Sequence, residues 1–293
     1  MKKLSLGQLR AIDAVVTNRN FSDAAKALGI SQPAVSNHVN SVEGHFRTRL
    51  FDRRGYVAVP TPELEALLPR LRTVLMLMDE LENSLEKQRS LVVGQLRVGY
   101  STYQTAVPIL TRFMQDNPGV KVEARAMASH DLLQGLENGD LDVGCMTAKE
   151  VPAHLSGVLL RKMKVVLAVP RGHPMAATGK ITFSELNGVP LIQREVTSAT
   201  RRIFEAAARL ARVELNTILA VGSWGTISEM VRTGLGVGVG LDAEVTATGL
   251  VPVEITDAPM SASQFVVHLP ERKMISAVQA FMTTTLLVSA PET

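Results

Sequence analysis

One cysteine, Cys145, stands in 293 residues, which excludes an intrachain disulfide and a cysteine-built zinc site. Long apolar runs are missing too, and none approaches the ~18 residues that span a bilayer. Met1-Lys2-Lys3-Leu4-Ser5 is basic, but no apolar stretch or small-residue cleavage site follows it as an export signal requires. A cytoplasmic protein with no membrane partner is expected. Catalytic patterns are equally scarce. The run Gly234-Leu-Gly236-Val-Gly238-Val-Gly240 puts Val239 where a dinucleotide loop needs its third glycine, and it precedes a predicted strand instead of following one. It reads as a helix-end turn into a buried strand. Val221 takes the place of the first glycine of a nucleophile elbow around Ser223. The six histidines, at 38, 45, 130, 154, 173 and 268, include no His-x-x-x-His pair for a metal. Cys145 falls in a predicted buried strand, as core filler before a reactive thiol. No enzyme activity, metal or cofactor is expected.

Charge imbalance is also small, 31 Lys/Arg against 28 Asp/Glu, a net +3. Its distribution is uneven. Residues 1–60 hold nine basic and four acidic side chains, net +5, and the rest of the chain is net −2. That is a short basic module on a neutral body. With 46% hydrophobic residues, the body has enough apolar surface for a sizeable core.

Within the basic module, Leu6, Leu9, Ile12 and Val15 recur at helical spacing. Asn20 caps a second helix carrying Ala24, Ala25 and Leu28, and Gly29 supplies the turn after it. Ser31 caps a third helix with Pro33 in its first turn, Val35, Val39 and Val42 on its core side, and Gln32, Ser36, Asn37 and Asn40 opposite. Two helices across a glycine turn form a helix-turn-helix, or merely a small bundle. Leu50 to Val59 reads as two strands around an Arg53-Arg54-Gly55 tip, a β-wing. Thr61-Pro62 starts a long helix with Leu64, Leu67, Leu71, Val74, Met78, Leu81 and Leu85 in steps of three and four. Pro69 should kink it or cost a hydrogen bond. Such a seam wants a partner, most simply a second copy.

From Gln95 onward strands and helices alternate in two sets, the mark of βαβ units and mostly parallel sheets. Segments 163–170 and 264–269 read as crossings between two lobes that enclose a cleft, and 274–288 as a closing helix.

The module from Asn20 to Glu43, with Ala24-Ala25…Leu28…Ser31-Gln32-Pro33-Ala34-Val35-Ser36, followed by Leu50-Phe51-x-Arg53, resembles the winged helix-turn-helix of bacterial LysR-type transcriptional regulators. The order of parts matches over essentially the whole chain. The resemblance implies an α/β fold with an N-terminal all-α winged helix-turn-helix (1–60), a linker and dimerisation helix (61–92), and a two-lobed, periplasmic-binding-protein-like effector domain (93–293). Lobe I takes 93–168 and 266–293, and lobe II takes 169–265. Two departures stand out. The family's glycine after the third helix is Arg47 here, with Gly44 expected to take over the turn. Its early linker glycine is Leu64, which joins the seam.

By this resemblance the third helix enters the major groove. Ser31, Gln32, Ser36, Asn37 and Asn40 form its polar reading face, and Pro33 and Ala34 can touch thymine methyls. Arg53 and Arg54 bind phosphates or the minor groove, or form a solvated wing tip. Paired readers imply double-stranded DNA bearing an interrupted inverted repeat, a homodimer or homotetramer, and leave RNA polymerase open as a partner. The cleft is the expected sensor. Ser101, Thr102 and Tyr103 open one helix, and Thr197, Ser198 and Thr200 stand at the start of another, with Glu195 placed to pair with an amine on the effector. Two such starts favour a small carboxylate, phosphate or phosphonate, unless Thr197 and Ser198 are plain caps. Ser129, Met146 and Thr147 sit at ends of first-lobe elements. Trp224 starts a helix on the opposite wall, as ligand contact or lobe packing. A solute-binding protein and a cytoplasmic enzyme are the competing readings of a two-lobed cleft.

Overall fold

A computed structural model describes residues 4–54, 57–86 and 94–289, with residues 53, 54 and 83–86 described by backbone alone. The chain begins with three helices, α1 (Leu6–Asn18), α2 (Phe21–Leu28) and α3 (Gln32–Phe46). Each start is capped by its own sequence. Ser5 and Gln8 form a reciprocal box, Asn20 accepts from Asp23 N at 2.7 Å, and Ser31 accepts from Ala34 N at 3.3 Å. Strands β1 (Phe51–Arg54) and β2 (Val57–Pro60) pair antiparallel, Phe51 opposite Pro60, as the wing. Helix α4 (Pro62–Glu86) follows, with Thr61 Oγ1 3.4 Å from Leu64 N.

The turn after α3 differs from expectation. Gly44 lies inside the helix, and Arg47 takes the left-handed conformation at φ 52°. An L-residue there costs roughly 1–2 kcal/mol. Replacing Arg47 by glycine should therefore raise stability by about 0.5–1 kcal/mol, after the added freedom of the unfolded chain is subtracted. Thermal unfolding followed by circular dichroism checks this, and an unchanged or lower midpoint contradicts it.

The seam of α4 divides in two. Leu64, Leu68 and Leu71 turn inward and complete the reader core with Ile12, Val35, Val42, Leu50 and Phe51. Leu67, Val74 and Leu81 are 48%, 45% and 53% exposed. A three-helix reader is too small to close its own core, so the linker helix supplies the missing wall. The helix runs through Pro69 without interruption. The cost is the hydrogen bond that Pro69 cannot donate to the Glu65 carbonyl. Leu85 lies outside the described side chains.

The effector domain begins with β3 (Gly94–Tyr100), α5 (Tyr103–Asp116), β4 (Val120–Ala126), α6 (Ser129–Glu137) and β5 (Val143–Ala148). A 14-residue strand, β6 (Ser156–Val169), then leads to α7 (Pro174–Thr178), β7 (Lys180–Ile181), β8 (Leu191–Arg194), α8 (Ala199–Leu210) and β9 (Thr217–Val221). The chain ends with α9 (Trp224–Arg232), β10 (Val237–Leu241), α10 (Asp242–Ala247), β11 (Val251–Ile255), β12 (Ser261–His268) and α11 (Ser276–Ser289). The strands join in the order β4-β3-β5-β12-β6-β10-β8-β9, with β11 also on β6. Parallel pairs β3/β4, β3/β5, β8/β9 and β8/β10 flank antiparallel β12 and β6. β6 pairs with β12 up to Lys164, then with β10 and β11 from Val165. Both crossings thus begin earlier in the chain than boundaries at 168 and 266. The glycine run is explained by close packing: a Cβ on Gly240 would lie 2.5 Å from the Trp224 ring, and Gly234 turns the end of α9 at φ 80°.

Candidate functional site

On α3 the buried side is Val35, Val39 and Val42. Ser31, Gln32, Pro33, Asn37 and Asn40 are exposed, with Ala34 and Ser36 half-buried. Gln32 Nε2 donates to Ser36 Oγ at 2.9 Å, one turn along, which holds the amide flat on the helix surface. Helix α1 braces this helix through Gln8 Nε2 to Ser41 Oγ, 3.2 Å. Sequence reasoning missed Glu43. Its carboxylate accepts from Leu50 N at 2.7 Å and Phe51 N at 3.3 Å, fixing the wing against α3. Its only signal was being a lone acid in the helix that leads into a basic wing. The backbone of Arg53 and Arg54 ends β1 at the hairpin tip, and their side chains lie outside the described residues.

The cleft gathers residues from distant segments at the carboxyl ends of parallel strands, where such sheets bind ligands. Ser101 Oγ lies 3.4 Å from both Thr147 Oγ1 and the Cys145 carbonyl, and Thr147 N donates to Ser129 Oγ at 3.3 Å. Across the gap, α8 packs on β5 and β12. Thr102, Ser129, Thr147, Ser198, Thr200 and Trp224 are all 7% exposed or less, so the lobes are closed over them. Glu195 is half-buried and receives both Nε and Nη2 of Arg194 at 3.1 Å. Thr197 is half-buried, its carbonyl accepting from Arg202. One expected residue stands exposed at the start of α5, and another faces the lobe I core. Tyr103 is 42% exposed, and Met146 packs into the lobe I core with Leu132, Leu136 and Phe265. Strand alternation gives Thr147 and Met146 opposite faces, so both could not line one gap.

The reader caps all bond their helices; the cleft caps do not. Thr102, Ser198 and Ser223, at the starts of α5, α8 and α9, make no side-chain cap hydrogen bond. Several polar groups there were invisible in the sequence. Glu244 is 3% exposed and accepts from Leu241 N at 3.2 Å. Burial pushes its carboxyl above the usual range, partly offset by that N–H, the charge of Arg194 and a hydrogen bond to Thr102. Trp224 Nε1 donates to the Glu244 carbonyl at 3.0 Å. Thr105 bonds Gln264, which stands opposite Thr147 in β12. The amide nitrogen of Gln264 and both amide atoms of Gln104 are buried without partners among the described residues. Cys145 is buried, its thiol pushed up to about 12 by desolvation, so it is protonated at neutral pH.

Where reader, linker and lobe I meet, a cavity of about 520 Å³ is lined by Arg10, Asp13, Arg72, Asp79 and Arg97 among others. One guanidinium joins all three parts. Arg72 Nε reaches Asp13 of α1 at 2.7 Å, and Nη1 reaches Asp140 and the Asn138 carbonyl of lobe I. Below it, Asp142 is fully buried between Arg97, at 2.9 Å, and Arg272, at 2.7 Å. A second hollow of about 480 Å³ is apolar and runs along the outer side of α4 past Leu4, Phe46, Leu67 and Val74. No helix among the described residues is long and apolar enough to cross a membrane.

Comparison with known proteins agrees with this layout. Residues 6–63 match the bacterial regulatory helix-turn-helix protein family, lysR type, and residues 89–286 match the LysR substrate binding domain. The transcriptional regulator CbbR of Sinorhizobium medicae is 28% identical over 96% of this chain and 92% of its own length. The transcriptional activator CmpR of Synechocystis is 24% identical over 96% and 95%. Among solved structures, full-length OxyR of Pseudomonas aeruginosa, a point variant, superposes with a TM-score of 0.76 at 20% identity, covering 100% of this chain and 99% of that one. The regulatory domain of Synechocystis CcmR, solved with 2-PG, covers 68% of this chain and 98% of its own, at 22% identity and a TM-score of 0.60. With a DNA-reading module and an effector-binding domain both matched along its length, this chain belongs to the LysR family of transcriptional regulators.

Proposed function

We propose that the chain reads an interrupted inverted repeat and answers to a small anion, a carboxylate, phosphate or phosphonate, held between its lobes. The reader is 1–60, the linker 61–92 and the sensor 93–293. Gln32, Ser36, Asn37 and Asn40 address base edges, Ser31, Pro33 and Ala34 flank them, and Arg53 and Arg54 hold backbone phosphates. The exposed apolar side of α4 takes a second copy, giving a dimer that builds into a tetramer, and RNA polymerase is the partner through which bound DNA is used. All of this takes place in the cytoplasm.

One observation carries the sensing half: hydrogen-bonding capacity left unspent in a closed, buried gap. Both amide atoms of Gln104 and the amide nitrogen of Gln264 lack partners among the described residues, and the starts of α5, α8 and α9 carry no side-chain cap. Buried polar groups are normally satisfied, and helix starts attract anions. Ser101, Ser129, Thr147 and Thr200 add hydroxyls, while Glu195 holds Arg194. The ligand must bind open and closed lobes with different affinity to act as a signal.

The sole tryptophan, Trp224, supplies a reporter. Titration of the full chain with inorganic phosphate, 2-PG and small carboxylates should change its emission saturably for at least one probe. Ser129→Ala should weaken that probe about 5–10-fold, the worth of one hydrogen bond. Saturable binding that Ser129→Ala leaves intact, or no binding by any probe, contradicts the reading.

A further inference from the structure

The cleft that invites an anion also contains a buried carboxylate. Glu244 stands in the first turn of α10, 3% exposed, with its acceptors used by Leu241 N–H and by Thr102. Among the described residues no lysine, arginine or histidine forms an ion pair with it. The adjacent cation, Arg194 from β8, is held in a two-pronged pair by Glu195. Asp242, on the same short helix, adds further negative charge, while α5 contributes Thr102 and α9 contributes Trp224. Arg194 is thus shared between Glu195 and Glu244, while the half-buried Asp242 acts on Lys164 as well as on Glu244.

A carboxylate that merely caps a helix need not be buried. Glu185 does that job in this chain: it takes Thr182 N at 2.7 Å from an exposed position. Glu244 does the same for Leu241 while bearing the desolvation that Glu185 escapes. Its backbone is fixed as well, the carbonyl accepting from the Trp224 indole N–H at 3.0 Å, against a ring that lies flush on Gly240. Thr102, which does not cap its own helix start, lies close enough to Glu244 to lower the pKa of its carboxyl. The α5 anion position and the buried carboxylate are therefore neighbours.

We propose that Glu244 restricts the effector to a molecule carrying an ammonium group beside its anionic group, an amino acid or a related amino-bearing acid. The inference rests on the lobes forming the effector cleft. A ligand ammonium would give Glu244 an ion-pair partner of its own, where Arg194 is already paired with Glu195, while the ligand carboxylate meets the uncapped helix starts. A dianion without an amine would place like charge against a carboxylate that has no water to screen it.

Matched pairs test this in the full chain: each of several amino acids against the 2-hydroxy acid of the same carbon skeleton, read by Trp224 emission. At least one amino acid should bind about tenfold or more tighter than its hydroxy partner. Glu244→Gln keeps an acceptor for Leu241 N–H; it should abolish that preference by weakening the amino acid and leaving the hydroxy acid within about threefold. Equal binding of the two members by the unaltered chain overturns the proposal, and that comparison needs no variant to fold. So does a glutamine variant that weakens both members alike. Binding of inorganic phosphate or 2-PG with every amino acid silent overturns this inference alone, and silence of every probe overturns the cleft reading with it.

Discussion

Asp142→Ala is expected to cost about 3–5 kcal/mol of folding stability, the usual result of breaking a buried ion pair from one side. The carboxylate is fully buried and accepts from Arg97 N at 2.8 Å, Arg97 Nη2 at 2.9 Å and Arg272 Nη1 at 2.7 Å. Arg272 is itself fully buried, and desolvation already pulls its guanidinium below the usual value against the attraction of Asp142. Without Asp142 an uncompensated cation stays inside, facing Arg97 and Arg72. The thermal midpoint should fall by roughly 2–4 °C per kcal/mol lost. Asp142→Ala combined with Arg272→Met should recover much of the loss, because a buried pair replaced by apolar groups is often neutral. Circular dichroism melts of the single and double variants decide it, and a single variant within 1 kcal/mol of the parent would show the network to be dispensable.

Loss of the reading face is expected to be as large, in affinity instead of stability. Gln32→Ala with Ser36→Ala should reduce binding to the cognate site by about 30–1,000-fold, taking about 2–4 kcal/mol for two base-edge contacts. Both side chains project from a helix whose core face is untouched by the change, so melting should hold. Non-specific affinity should also hold, because phosphate contacts supply it. Arg53→Ala should behave in the opposite way, weakening all sequences together and lowering the salt dependence by about one charge. Fluorescence anisotropy against specific and scrambled duplexes, at several salt concentrations, separates the two. Retained sequence discrimination in the double variant would remove Gln32 and Ser36 from the reading surface.

The reader was legible in the sequence because its signals are local. Asn20, Ser31 and Gly29 cap the very helices they begin or end, and helical spacing of apolar residues sets the faces. Distance in the chain is what hid the rest. Thr102 and Glu244 belong to different lobes, as do Arg72's partners Asp13 and Asp140 to reader and sensor, so no window of sequence holds either set. The linker seam misled differently. Its steps of three and four correctly marked an apolar stripe, but a stripe does not say which partner covers each part, and the reader claims Leu64 and Leu71 while Leu67, Val74 and Leu81 stay exposed. Met146 and Thr147 show the same limit at the scale of one peptide bond, where pleat alternation decides what faces the gap. Arg47 illustrates a further one: that the family's glycine is missing was plain, but not that an arginine would accept its left-handed backbone.

Strand β6 belongs to both lobes, hydrogen-bonded to β12 before Val165 and to β10 and β11 after it. Two bodies that share a continuous strand are not free to slide past each other; they bend or twist about it. The change of partners at Lys164–Val165 marks where such a hinge would lie, and lobe I is the body that Arg72 ties to the reader. On the proposed sensing role, a ligand in the cleft would act by turning lobe II about that shared strand.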